Sequence, residues 1–405
     1  MRVFRMASLP CLLPLLERLC KKPHFASNSL RNAAGAFPCD QRSHFETLKP
    51  GKTTYPSPHQ KLKFSLLQTL RAWYFRVRGL DGLYFPIFLL LNCLRTRRKA
   101  VVLRRMEALG DVVCCLPLCD AARKKHPGRA ILFVTSLKLR RLVGLSSAAD
   151  GVYGSTSSDF NVRRGYMRLI EAVYSIETID NISDAGSTDH LVDTLAASCG
   201  FEIEDRQPRL NAPQRLVEHT RKKFQLLENR PIIVVNPGPT WPVRNWSADH
   251  WQKLINELSS RYDAEIVQVG MKRRTVSSPY DDLQRVHQLA SRLRVDELVA
   301  LIAMSRLVIS IDSGPIHVAG AVGTPVIGLF GAVDPALRLP PDSPGLGLHA
   351  DVPCLFCHHK TPIGHWKDGC PNDIQCMSKL MPDTVLEAVE RILGTTVPRR
   401  TKIED

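Results

Sequence analysis

The 405-residue sequence predicts an α/β fold: two parallel-sheet halves joined by a linker and facing each other across a cleft, behind a basic N-terminal extension. Three observations carry this. From residue 100 onward, short apolar runs alternate with stretches of helical period, the pattern of parallel strands joined by crossover helices. The alternation lapses over 144–187, meets a proline-bounded stretch at Pro208–Pro213, and then starts again. Charge is also segregated. Residues 1–99 carry 18 Lys and Arg against 4 Asp and Glu, a net +14, while residues 100–405 carry 37 against 35. The net +16 therefore describes the extension, and the folded part is almost neutral. A nucleic-acid-binding domain would hold its basic patch on the fold itself, so nucleic acid is excluded as a partner. The 44% hydrophobic content excludes wholesale disorder and a fibre.

The elements follow in order. Ala100–Leu103 is a short apolar strand whose turn ends at Gly110-Asp111. A helix then runs from about Val112 to Lys125, stopped by Pro127, because proline has no N–H and clashes with the preceding turn. Ile131–Val134 is the next strand and Val192–Ala197 a helix. Pro208–Pro213 is a hinge, and the charged Gln214–Glu228 a connecting helix. The second half repeats the alternation with strands at Ile232–Val235, Glu265–Val269, Leu307–Ile311 and Val326–Phe330. Helices fall at Ala248–Ser259, Asp296–Met304 and Pro315–Val322, and Pro382–Leu393 closes the fold after a Cys- and Pro-rich loop. The domains are thus 100–212 and 213–395, with a polar tail at 396–405.

The leading 99 residues divide in two. Residues 1–59 form a basic extension, of which 1–39 carry six basic residues and one acid, Glu17, as in an organellar transit peptide, an unstructured bacterial extension or a misassigned start. Residues 60–99 interleave Leu62, Phe64, Leu66, Trp73, Tyr74 and Phe75 with Lys61, Lys63, Arg71, Arg76 and Arg78. Such a basic, aromatic, amphipathic segment lies in a membrane interface or packs on the domain that follows. The apolar run Leu83–Leu91, interrupted by Pro86, is too short to span a bilayer. The expected location is cytoplasmic, peripheral on an anionic membrane surface. The 12 cysteines are scattered through the chain, which points to a reducing compartment. Only Cys354, Cys357, Cys370 and Cys376 cluster, with His358, His359 and His365 nearby. They are candidates for structural zinc or iron, or for reduced thiols that pack a loop.

Three segments carry chemistry. In Ile309-Ser-Ile-Asp-Ser-Gly-Pro-Ile-His317, a buried strand ends at Asp312, Ser313-Gly314 turns, and Pro315 sits where a helix begins. Free backbone N–H groups and the positive dipole end make that helix start an anion site, with Ser313 and His317 beside it. The bland alternative is a helix N-cap. In Asn236-Pro-Gly-Pro-Thr-Trp-Pro-Val-Arg-Asn-Trp246, Thr240 offers a hydroxyl and Arg244 a fixed cation to the same anion. The alternative is a surface loop over Trp241 and Trp246. In Arg105-Met-Glu-Ala-Leu-Gly-Asp111, Asp111 is a cap or a carboxylate projecting into the cleft, and the three-glycine dinucleotide fingerprint is missing.

Together these segments resemble glycosyltransferase family 9, the ADP-heptose:lipopolysaccharide heptosyltransferase family. The early Leu109-Gly-Asp-Val112 turn, the Pro237-Gly238 loop running to Trp246 and the Asp312-Ser-Gly-Pro-Ile-His317 helix start occur in the family's order. Gly323-Thr-Pro325 and Leu329-Phe-Gly331 follow. The resemblance covers about 100–395. It implies a GT-B architecture, two Rossmann-like domains with the sugar nucleotide held mainly by the second. It also implies an inverting, metal-independent transfer of a heptose from an ADP-heptose donor to a lipid-linked glycan, with Asp111 as base and no cofactor required. Thr240, Arg244, Asp312, Ser313, Gly314 and His317 are the implied donor-binding residues. The chain has no Asp-x-Asp pair for a catalytic metal, and a helix start, hydroxyls and a cation would stabilise the leaving diphosphate instead. Two departures stand out: Arg244 replaces the usual Lys, and Met271-Lys-Arg-Arg-Thr275 lacks the acid that holds ribose in some members. In a related protein-heptosylating group a Cys-rich loop binds iron. A protein acceptor and a non-catalytic nucleotide-sugar-binding module are the alternative readings.

Overall fold

The computed structural model describes residues 81, 84–157, 168–176, 188–272, 277–360 and 370–394. All of these lie in one compact unit. The readings made above for 1–59, 61–80, His365 and 396–405 lie outside the described residues.

Two sheets form, each wholly parallel. The first comprises β1 (Ala100–Arg104), β2 (Ala130–Ser136), β3 (Gly151–Ser155) and β4 (Ile170–Ser175) in the order β3-β2-β1-β4. The second comprises β5 (Ile232–Asn236), β6 (Glu265–Gln268), β7 (His287–Gln288), β8 (Leu307–Ile311), β9 (Val326–Leu329) and β10 (Gly345–Leu348). Its order is β10-β9-β8-β5-β6-β7. Strands β1, β5 and β8 are buried along their whole length, which is why they read as unbroken apolar runs. In each sheet the chain builds outward on one side, returns, and builds on the other. The strand order reverses between β1 and β4 and between β5 and β8, and a crevice opens there beyond the carboxyl ends of the strands. One apolar core runs from Val101 and Phe133 of the first half to Val234 and Val308 of the second, and a second core lies under the other face of the second sheet.

Several elements differ from the sequence reading. The helix expected over Val112–Lys125 is two pieces, Leu109–Cys114 and Leu118–Lys125. Pro117 sits at the break and caps the second piece, because it has no N–H to continue the first. The connecting helix ends at Lys223, where Gln225 turns to positive φ. Strands β3 and β4 lie in the stretch left unassigned. The Pro208–Pro213 stretch is a strap: Leu210 N–H donates to Ala321 O at 2.9 Å, and Gln207 Nε2 to Gly320 O at 2.9 Å.

The first half also begins earlier than residue 100. Residues 84–96 are helical and bury Phe85, Leu89 and Cys93. The Phe85 ring meets Tyr153 edge-on at 5.1 Å, and Asp81 accepts from Tyr153 Oη and Ser155 Oγ, both at 2.7 Å. Of the 60–99 segment, this part packs on the first sheet. Among the described residues no helix is long and apolar enough to cross a membrane.

Candidate active site

The second crevice is built by the loops that leave β5 and β8. Asn236 ends β5 in register with Ser310 of β8. Its side-chain amide donates to Ser310 Oγ at 2.8 Å and to Ser313 Oγ at 2.7 Å, so the two loops are fixed to each other before any ligand binds. The loop after β5 passes through a cis Gly238–Pro239 bond and a short 3-10 turn, Pro242–Arg244. It places the Arg244 guanidinium over the Trp241 ring at 4.9 Å and its Nε 3.2 Å from Asp312 Oδ2. After β8, Asp312 is buried and Ser313 stands at the N-cap of the Gly314–Val322 helix. Ser313 Oγ donates to Ile311 O at 3.3 Å and makes no side-chain cap, Ile316 N–H donates to Ser313 O at 3.1 Å and Pro315 has no N–H, which leaves Gly314 N–H outside these bonds.

The first crevice supplies the other wall. Ala108 takes positive φ and turns the chain into the Leu109–Cys114 helix, with Asp111 in its first turn. Two glycines let this helix start meet the one at Gly314. A Cβ on Gly110 would lie 2.7 Å from His317 Cδ2, and one on Gly314 would lie 2.8 Å from Leu109 Cδ2. Cys114 Sγ and His317 Nδ1 are 3.3 Å apart across the same contact. Arg105, buried at the end of β1, donates to Glu107 O and Ile176 O, each at 3.2 Å, and forms an ion pair with Asp111.

The electrostatics set the protonation states. Burial pushes the Asp111 carboxyl above its usual range, while the charges of Arg105, Arg338 and Arg244 pull it down. Three guanidinium charges thus act on one carboxylate, one from the first half and two from the second. Burial lowers His317 to about 4, so this imidazole is neutral at physiological pH. A cleft of about 710 Å³ opens beside this cluster. Thr240, Ser313 and Gly314 line it from the second half and Glu107–Leu109 from the first, with Met271, Leu289, Leu293 and Leu298 forming an apolar end.

The sequence-derived candidates fall into two groups. Thr240, Ser313 and Gly314 line the cleft. Asp111, Arg244, Asp312 and His317 are outside its lining and form the charged cluster next to it. Arg244 meets Asp312 directly, which its sequence context did not reveal. Sequence reasoning also missed Arg105 and Arg338. Arg105 stands six residues before Asp111 at the end of a strand, where ligand sites of α/β sheets cluster. Arg338 is buried in the loop beyond β9, and nothing in its neighbourhood of sequence marks it.

The cysteine loop lies apart from the cluster. Cys354, Cys357, Cys370 and Cys376 are free thiols. Burial raises Cys376 to about 11, helped by Cys357, Cys354 and Cys370. The four therefore share one neighbourhood. Among the described residues no three His, Cys, Asp or Glu side chains converge into a group able to hold a metal ion. No metal is assigned to the described part of this loop.

Residues 164–362 match the model of "Glycosyltransferase family 9 (heptosyltransferase)". Lipooligosaccharide heptosyltransferase 2 of Campylobacter jejuni is 27% identical over 183 residues, 42% of this chain and 55% of that protein, so the chain spans about half the length of this curated relative. Escherichia coli ADP-heptose LPS heptosyltransferase II superposes with a TM-score of 0.53 at 17% identity, covering 74% of this chain and 99% of that one. An iron-containing dodecameric glycosyltransferase of enterotoxigenic Escherichia coli superposes at 0.54 with 15% identity, covering 74% of this chain and 77% of that one. These superpositions extend over both halves and identify the architecture as GT-B. Over residues 164–362 the chain is similar in sequence to glycosyltransferase family 9, and its fold is that of these solved structures.

Proposed function

We propose that this chain is an inverting, metal-independent glycosyltransferase that moves a heptose from ADP-heptose to a lipid-linked glycan of the lipopolysaccharide core at the inner face of a membrane. One observation carries the reading: Asp111 of the first half lies in the field of Arg244 and Arg338 of the second, where the Leu109–Cys114 helix meets the start of the Gly314–Val322 helix. In this reading the donor nucleotide occupies the 710 Å³ cleft, with the diphosphate at Thr240, Ser313 and Gly314. Asp111 takes the proton of the acceptor hydroxyl. The hydroxyl oxygen bonds to the anomeric carbon as the bond to the diphosphate breaks. The departing charge falls to Arg244 and the Gly314 N–H at the helix start, which act in place of a metal. Neutral His317 fills the contact between the helix starts and adds no charge there.

Two measurements test this. Mass spectrometry of small molecules retained by the purified protein should find an ADP-linked sugar, and a uridine or guanosine nucleotide-sugar would reject the donor. Asp111→Asn should retain donor binding and lose transfer by roughly 10²–10⁴-fold, the worth of general-base help. Turnover within threefold of wild type would reject Asp111 as the base.

A further inference from the structure

The helix over residues 84–96 has two apolar faces, and the fold uses one. Phe85, Leu89 and Cys93 are buried on the first sheet, and Cys93 Sγ lies 3.6 Å from Leu169 O. Half a turn away, Tyr84, Ile87, Leu91 and Leu94 are 53, 36, 60 and 64% exposed. Their spacing places them on one stripe of the helix. Single exposed apolar residues are ordinary, but a contiguous stripe marks a contact surface. Beyond its carboxyl end stand Arg97, Arg98 and Lys99, all exposed, after Arg95, which is tethered to Asp150 O at 2.5 Å. No Asp or Glu occurs from residue 82 to residue 106.

Two occupants suit such a stripe, a second copy of the chain or a lipid surface. A coiled-coil seam needs about three to four heptads, and this stripe offers only two repeats. Its single-signed basic end complements anionic headgroups, and Tyr84 combines an apolar body with the polar tip found at bilayer interfaces.

We propose that residues 84–99 form a membrane-contact surface on which Tyr84, Ile87, Leu91 and Leu94 enter the headgroup boundary of an anionic bilayer and Arg97, Arg98 and Lys99 meet lipid phosphates. The buried face keeps the helix fixed to the first sheet, so no ordering cost is paid on docking. The surface would hold the first half against the bilayer. This deepens the lipid-linked acceptor reading, but vesicle binding needs neither donor nor turnover, so the two fail separately.

The test is co-sedimentation of the full chain with vesicles of phosphatidylcholine alone and of phosphatidylcholine mixed with phosphatidylglycerol. The full chain should prefer the mixed vesicles, and part of the binding should survive high salt. Leu91→Glu/Leu94→Glu should lower the partition coefficient by about tenfold or more, and Leu91→Phe/Leu94→Phe should restore it. Both positions are exposed, so thermal melts of the variants should match wild type. Wild-type partitioning by the double Glu variant would overturn the proposal. So would equal binding to both vesicle types, or a lipid-free dimer in analytical ultracentrifugation that the Glu variant dissociates.

Discussion

Gly314→Ala probes the contact between the two helix starts. The added Cβ would lie 2.8 Å from Leu109 Cδ2 and 2.9 Å from both Leu109 Cγ and Leu109 Cβ. Carbon atoms pack best at about 3.5–4.0 Å, so the overlap is near 0.8 Å on three atoms at once. One of these, the Leu109 Cβ, is fixed to the backbone of the opposite helix and cannot swing away. Relief therefore requires the two helix starts to separate. Overpacking of this kind costs about 1–3 kcal/mol, and replacing Gly by Ala in a helix returns up to about 1 kcal/mol. The net is a loss of about 1–2 kcal/mol, or roughly 2–4 °C in Tm for each kcal/mol. Thermal unfolding followed by tryptophan fluorescence would measure it. Leu109→Gly, which removes all three contacting atoms, should also destabilise alone, but in the Gly314→Ala background it should recover at least about 1 kcal/mol as a coupling term. A Gly314→Ala protein that melts at or above wild type, or a double-mutant cycle with no coupling, would refute the close approach of the two halves at this point.

Further outcomes follow from the charged cluster. In the proposed reaction Asp111 would act as a base only when ionised, and its carboxyl is held high, so kcat/KM should rise with pH through a midpoint above the ordinary aspartate value of about 3.9. A carboxyl with a raised folded pKa contributes stability below its unfolded pKa and loses it as pH rises through the folded value. The melting temperature of Asp111→Asn relative to wild type should therefore increase from acid to neutral pH, and a flat or falling difference would contradict the burial of this carboxyl. Arg244→Ala should weaken ADP binding by calorimetry by roughly 1.5–3 kcal/mol, the worth of a charge-assisted hydrogen bond, and an unchanged Kd would remove Arg244 from the donor site. It should also destabilise the fold, since it strips buried Asp312 of a cation. Transfer should survive brief EDTA treatment, and loss of activity restored by magnesium or manganese would reject leaving-group stabilisation by protein groups alone.

Much of this protein was legible in its sequence because the relevant forces are local. Strands β1, β5, β8 and β9 are apolar runs that parallel sheets bury on both faces, and Pro315, Pro382 and Gly323 mark helix ends by their own backbone chemistry. Asp111, Thr240, Ser313 and Gly314 stand at strand-to-helix turns, where the chain must expose whatever it binds. Tertiary structure decided the rest. Strand β4 has one buried residue, Ile170, and then alternates between exposed and half-buried residues at a sheet edge, so its identity depends on pairing with β1, 70 residues away. The ion pair of Arg244 with Asp312, and the pull of Arg338 on Asp111, arise between loops far apart in sequence, and spacing carries no record of them. The helix at 84–96 is apolar on both faces, and its sequence alone could not say which one packs. The first sheet settles that by covering Phe85, Leu89 and Cys93. Burial is a property of the partner surface as much as of the residue, and a single chain read in order does not contain that partner.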